Sequence, residues 1–225
     1  MMTQLSISLL PLGLSYPLST HQSVNRMPSS VRSEAHMSFN FSDFSEGYIS
    51  SLISSLEELS IPTLEEIWSI IEDARNTGNT IHLIGNGGSA GTPSHSAGDW
   101  SKELKLRTIS HTDNASSLTA WANDTDFNNI FVGQLSTFIN EGDVVIGYSG
   151  SGNSENVING ILYAKQNACY TIAITGNYNG MGGGKLAKIV DVALVVPSKS
   201  MERIEDTQLI VNHIIKEAIK SNNGL

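Results

Sequence analysis

The chain has 225 residues, 40% of them apolar, and a formal net charge of −9. That length suits one well-buried domain with an appendage, and an acidic chain without a Lys/Arg cluster is a poor nucleic-acid surface. The apolar stretch from Leu5 to Leu18 is short and broken by Ser6, Ser8, Pro11 and Gly13, so no segment reads as a membrane span. The one cysteine, Cys169, excludes an intrachain disulfide and suits a reducing compartment, with the cytoplasm as the expectation. As a lone thiol it reads as a small buried filler.

Residues 1–37 are rich in Ser, Thr and Pro, and no acidic residue precedes Glu34. This segment reads as a disordered leader, or as the product of an upstream start with Met37 as the working one; its two arginines are too few for a transit peptide. The folded part is expected over residues 38–225. Tyr48 to Leu59 has apolar residues on one helical face, and Ser60-Ile61-Pro62 ends that helix. A second helix is predicted from Thr63 to Arg75, stopped at Asn76-Thr77-Gly78. Strands and helices then alternate: strand 81–84, helix 94–104, a weak strand near 107–110, helix 127–140 and strand 144–148. Helix 155–167, strands 170–175 and 192–196, and helix 202–222 complete the chain. The strands are continuous apolar runs, as when helices cover both faces. The expected architecture is a three-layer α/β/α domain with a mostly parallel sheet and two leading helices.

Two strand ends carry the chemistry. Gly85-Asn86-Gly87-Gly88-Ser89 follows the first strand, and Ser149-Gly150-Ser151-Gly152-Asn153-Ser154 follows the third. Turns built from small residues and hydroxyls leave N–H groups above a helix N-terminus, where the dipole favours an anion. Capping alone explains one such turn; two in one sheet point to a bound phosphate. Behind the first turn, His95 and Asp99 stand at i, i+4, so both project from one helix face and can share a metal. Glu205 and His213 are eight apart on the last helix, a rise of about 12 Å, near the limit for ligating one ion. His82 alternates along a strand and reads as structural; His111 falls in a loop. Lys185 after Gly182-Gly183-Gly184 lacks the strand–GxxxxGK[ST]–helix context, so nucleotide binding is not expected.

These residues carry a resemblance. The turns at 85–89 and 151–154, with Ala122-Asn123-Asp124, Gly142-Asp143-Val144, Thr175-Gly176 and Arg203-Ile204, resemble in order the motifs of the sugar isomerase (SIS) domain family. Within it the chain is most similar to enzymes that interconvert sedoheptulose 7-phosphate and glycero-manno-heptose 7-phosphate. The likeness spans residues 40–222 and implies an aldose–ketose isomerase. It implies phosphate binding by Ser89, Ser149, Ser151 and Ser154 beside Gly87, Gly88 and Gly150, with Asn86 lining the sugar and Asn123, Asp124 and Glu205 completing the substrate site. It also implies a Zn²⁺ site from His95, Asp99, Glu205 and His213, where the family pattern is His, Glu, Gln, His. Here a Glu becomes the shorter Asp99 and a neutral Gln becomes Glu205. Asp99 and His213 stand where the family moves the proton, so Asp99 is the first candidate base, with Glu205 able to take over.

The resemblance further implies homotetramers with sites between subunits, in line with two leading amphipathic helices that offer more apolar surface than one sheet needs. It implies a basic residue shortly after the Asp99 position, where Glu103 stands instead; Lys102, Lys105 and Arg107 are candidates to replace it. A relative of these enzymes is a non-catalytic adaptor for the bacterial replication initiator, so a binding protein and an isomerase of another phosphosugar both stay open. A sugar-responsive regulator is disfavoured, since no helix-turn-helix segment precedes the motifs.

Overall fold

The first strand of the fold is an interior strand, flanked by β2 and β3 rather than left at an edge, and that arrangement sets the position of everything functional. The computed structural model describes residues 39–225; the expectation of a leader over 1–37 falls outside them. Two helices, α1 (Phe41–Glu57) and α2 (Ile61–Thr77), lead in. They are followed by β1 (Ile81–Gly85), α3 (Gly88–Leu104), β2 (Thr108–Ser110), α4 (Ala115–Asp124) and α5 (Ile130–Phe138). Next come β3 (Val144–Ser149), α6 (Glu155–Gln166), β4 (Tyr170–Gly176), β5 (Val192–Val196) and α7 (Met201–Asn223). The five strands pair in parallel in the order β2-β1-β3-β4-β5.

Parallel pairing needs crossovers, and these place helices on both faces. Leu83, Ile146, Tyr148, Ile172 and Ile174 pack with Ile67 and Ile71 of α2, Trp100 and Leu104 of α3, and Ile204, Val211 and Ile215 of α7. Ile84, Val145 and Ala173 point the other way, onto Phe131 and Leu135 of α5 and Val157 and Ile161 of α6. The three-layer expectation therefore stands, with every strand parallel.

Several boundaries move, each for a local reason. α1 begins at Phe41 rather than Tyr48, with Asp43 in its first turn, where an acid complements the dipole. α3 begins at Gly88 rather than Ser94, because it runs through Pro93. That proline sits in the second turn, where its missing N–H forfeits one bond early in the helix. The segment before residue 127 holds a further helix, α4, capped by Asn114, whose side chain accepts from the Ser117 N–H. The expected helix 127–140 divides into a 3₁₀ turn at Phe127–Asn129 and α5. The loop after β4 is shaped by two more 3₁₀ turns, at Tyr178–Gly180 and Leu186–Lys188.

Candidate functional site

In a sheet ordered 2-1-3-4-5 the crossovers reverse direction between β1 and β3, and ligands bind outside the carboxyl ends of those strands. Gly85 of β1 pairs with Tyr148 of β3, so the 85–89 and 149–154 turns leave the sheet side by side. Between them is a cleft of about 210 Å³, lined by residues of both turns together with Tyr148, Met201 and Glu205. Asn86, Gly87, Gly88, Ser89, Ser149, Gly150, Ser151 and Ser154 all line it.

The hydroxyls are not equivalent. Ser149 Oγ lies 3.0 Å from Ser154 Oγ and accepts from the Gly152 N–H at 3.1 Å, which ties the two ends of the turn together. Ser151 Oγ accepts from the Asn153 N–H at 3.2 Å. Ser154 is the N-cap of α6, but its side chain makes no capping bond and pairs with Ser149 Oγ instead. Ser89 is buried, and its hydroxyl donates to Gln208 Oε1 at 2.9 Å; Gln208 in turn donates to the Ile174 carbonyl. Gly152 takes φ +64°, and a Cβ there would strike the Gly183 carbonyl, so only glycine lets the 176–184 loop seat on the turn. Asn86 forms a reciprocal carboxamide pair with Asn156 of α6 at 2.8 and 3.0 Å.

α3 and α7 run parallel with a near-constant offset. Ser89 meets Gln208, Ser96 meets Asn212 at 2.6 Å, and Asp99 meets Lys216 at 2.9 Å. The same register brings His95 Nε2 to 3.1 Å from His213 Nε2. Asp99 Oδ2 lies 3.4 Å from His95 Nε2 and 4.0 Å from His213 Nε2. Ligand atoms from His95, Asp99 and His213 thus fall within 4.8 Å of one another. Two imidazoles and a carboxylate at that spacing fit a borderline divalent ion in a three-ligand site with an open position.

Glu205 stands apart from this cluster. Its carboxylate is stationed over Gly88 at the start of α3, where an added Cβ would push it aside. The eight-residue separation from His213, about 12 Å of helix rise, explains why it lines the cleft instead of joining the histidines. Burial pushes its carboxyl above the usual range, and the charges of Glu202 and Asp206 add to this. Asp99 shifts the other way: the hydrogen bond from Lys216 holds its carboxyl below the usual range against the effect of burial. The two exchanged carboxylates therefore differ in kind.

Asn123 and Asp124 end α4 and belong to another surface: Asp124 lines a separate cleft with Ser117, Ala120, Trp121 and Thr125. Neither is among the residues that line the cleft between the 85–89 and 149–154 turns. The cation nearest the cluster comes from the facing helix, not from Lys102, Lys105 or Arg107. Lys105 Nζ donates to the Lys102 carbonyl, whereas Lys216 of α7 reaches both Asp99 and Glu103, at 2.9 and 3.6 Å. Gln208, Asn156 and Lys216 were not singled out from sequence. The i, i+4 recurrence of Gln208, Asn212 and Lys216 on α7 is a signal that could have found two of them.

An α/β sheet with two Ser/Gly turns at its switch point and a histidine–carboxylate cluster about two helix turns beyond is the class that fold and site define. The model of the SIS domain matches residues 46–176. The chain is 36% identical over 176 residues to the phosphoheptose isomerase of Aliarcobacter butzleri, covering 76% of this chain and 89% of that protein. It is 40% identical over 162 residues to a probable phosphoheptose isomerase of Thermoplasma acidophilum, covering 70% and 87%. The solved phosphoheptose isomerase of Neisseria gonorrhoeae superposes with a TM-score of 0.76 at 28% identity, over 81% of this chain and 100% of that one. The chain belongs to the SIS domain family.

Proposed function

We propose that this protein is a ketose–aldose isomerase acting on sedoheptulose 7-phosphate, as its relatives' names suggest. The observation that carries the reading is the junction at the β1/β3 switch point. Two Ser/Gly turns converge there, and the helix leaving one of them bears His95 and Asp99 opposite His213. Turn N–H groups and the hydroxyls of Ser149, Ser151 and Ser154 suit the phosphate. Asn86 suits a sugar hydroxyl.

In the ketose-to-aldose direction C1 and O1 each lose a proton while C2 and O2 each gain one. A general base with a raised pKa suits the carbon-to-carbon transfer. Glu205 has that property and makes no side-chain hydrogen bond among the described residues, whereas Asp99 is engaged by Lys216. We therefore assign the carbon proton to Glu205, in place of the first candidate Asp99, with His213 serving the oxygens. His95, Asp99 and His213 fit Zn²⁺, which would polarise the substrate carbonyl. A homotetramer is part of the same proposal: Ile49 and Ile53 of α1 are exposed, and Asn123 and Asp124 reach a substrate site only if another subunit supplies the rest. Among the described residues no helix is long and apolar enough to cross a membrane, in keeping with a cytoplasmic enzyme.

The direct test incubates metal-loaded protein with sedoheptulose 7-phosphate and follows the aldose by NMR. Appearance of glycero-manno-heptose 7-phosphate is expected. No conversion, with conversion of a hexose or pentose phosphate instead, would reassign the substrate.

A further inference from the structure

Lys216 lies one helical turn beyond His213 on α7 and faces the histidine–carboxylate cluster. Its Nζ is 2.9 Å from Asp99 Oδ2, the same oxygen that approaches His95 Nε2 and His213 Nε2. The Lys216 side chain is 12% exposed and that of Asp99 24%, so bulk water screens the pair only partly. Neighbours hold the ammonium in place: Lys216 Nζ is also 3.6 Å from Glu103 Oε1, and Lys220 Nζ is 2.8 Å from Glu103 Oε2. Acids at 99 and 103 on one helix thus interdigitate with lysines at 216 and 220 on the other, each pair at i, i+4.

We infer that Lys216 is a positioning residue that competes with a divalent ion for Asp99 Oδ2 and so weakens the hold of the His95–Asp99–His213 cluster on metal. This rests on the reading of that cluster as a metal centre. An ion bonded to Oδ2 at the usual ~2.1 Å would stand within about 5 Å of the ammonium. At that distance the repulsion is strong in a partly buried site. The ion must either share the oxygen under repulsion or drive Lys216 off against its bonds to Glu103. Asp99 has one methylene fewer than the Glu that the resemblance implies here, so it has little reach with which to turn away from Lys216. The consequence is a site whose metal exchanges readily.

The test is a Co²⁺ titration of metal-stripped full-length protein, followed by visible absorption. K216M keeps the apolar stem and removes the charge; K216R keeps the charge. K216M should bind Co²⁺ at least about tenfold more tightly than the wild type, while K216R stays close to it. If K216M fails to fold by circular dichroism, K216Q replaces it with the same expectation. A Kd unchanged or weaker in the charge-free variant overturns the proposal, because a residue that merely braced the site would leave metal binding equal or poorer. Failure of both the wild type and the charge-free variant to take up Co²⁺ overturns it as well. Turnover of sedoheptulose 7-phosphate by the same wild-type preparation judges the isomerase reading separately.

Discussion

His95 Nε2 and His213 Nε2 lie 3.1 Å apart across the seam between α3 and α7, 118 residues apart in the chain. Two imidazoles at that distance cannot both present a proton to each other. Either one donates to the other's lone pair, or both lone pairs face a common cation. The rings meet edge to face rather than stacked, at 79°. The same seam carries the Ser89–Gln208 pair beside the Ser/Gly turns and the histidine pair further along.

The two exchanged carboxylates give a paired prediction. If Glu205 moves the carbon proton, Glu205→Gln should lower kcat by about 10²–10⁴ while metal binding stays intact. Asp99→Asn should show weaker metal binding first, with activity regained at high metal concentration. Both changes are nearly isosteric, so circular dichroism should be unaltered. Near-wild-type turnover in Glu205→Gln with metal bound would return the base to Asp99 or His213.

Phosphate contacts persist from ground state to transition state, so their loss acts mainly on KM. Ser151→Ala and Ser154→Ala should each raise KM more than they lower kcat. Ser149→Ala should also cost stability, since its hydroxyl accepts from the Gly152 N–H. Steady-state kinetics with KM unchanged in both Ser151 and Ser154 variants would move the phosphate elsewhere.

Acid should loosen the sheet through a pair of histidines. His82 Nδ1 lies 3.0 Å from His111 Nε2, and His82 Nε2 lies 3.2 Å from Asp143 Oδ2, all three residues being buried. Burial, reinforced by His82, pushes His111 down to about 3. Burial also lowers His82, against the pull of Asp143. The unfolded chain therefore binds more protons than the folded one below about pH 6.5. Stability is full above that pH and falls on acidification, by up to about 1.4 kcal/mol per pH unit for each histidine. The urea midpoint should drop between pH 6.5 and 5, above the range of ordinary carboxylates, and His111→Gln should flatten the slope. Equal midpoints across that window would show that the pair does not govern acid stability.

Assembly is open to a plain measurement. Light scattering at micromolar concentration should give about four times the 24.2 kDa of one chain. A monomer would remove the tetramer, and with it any substrate role for Asn123 and Asp124 from a neighbouring subunit.

What the sequence determined by itself is what local pattern encodes. The apolar runs at 81–85, 144–149, 170–176 and 192–196 became strands because continuous hydrophobicity suits a sheet covered on both faces. The two Ser/Gly turns and the i, i+4 pair His95 and Asp99 were legible because their geometry spans only a few residues. Even α4 carried its start signal at Asn114. The tertiary structure alone decided what depends on register between distant segments. The β1/β3 adjacency set the two turns side by side, and the parallel seating of α3 against α7 delivered His213 and Lys216 to Asp99. That same seating left Glu205 two turns back, over Gly88. No periodicity along the chain records a contact across more than a hundred residues; it is fixed by which apolar faces bury one another, and the polar pairs follow that choice.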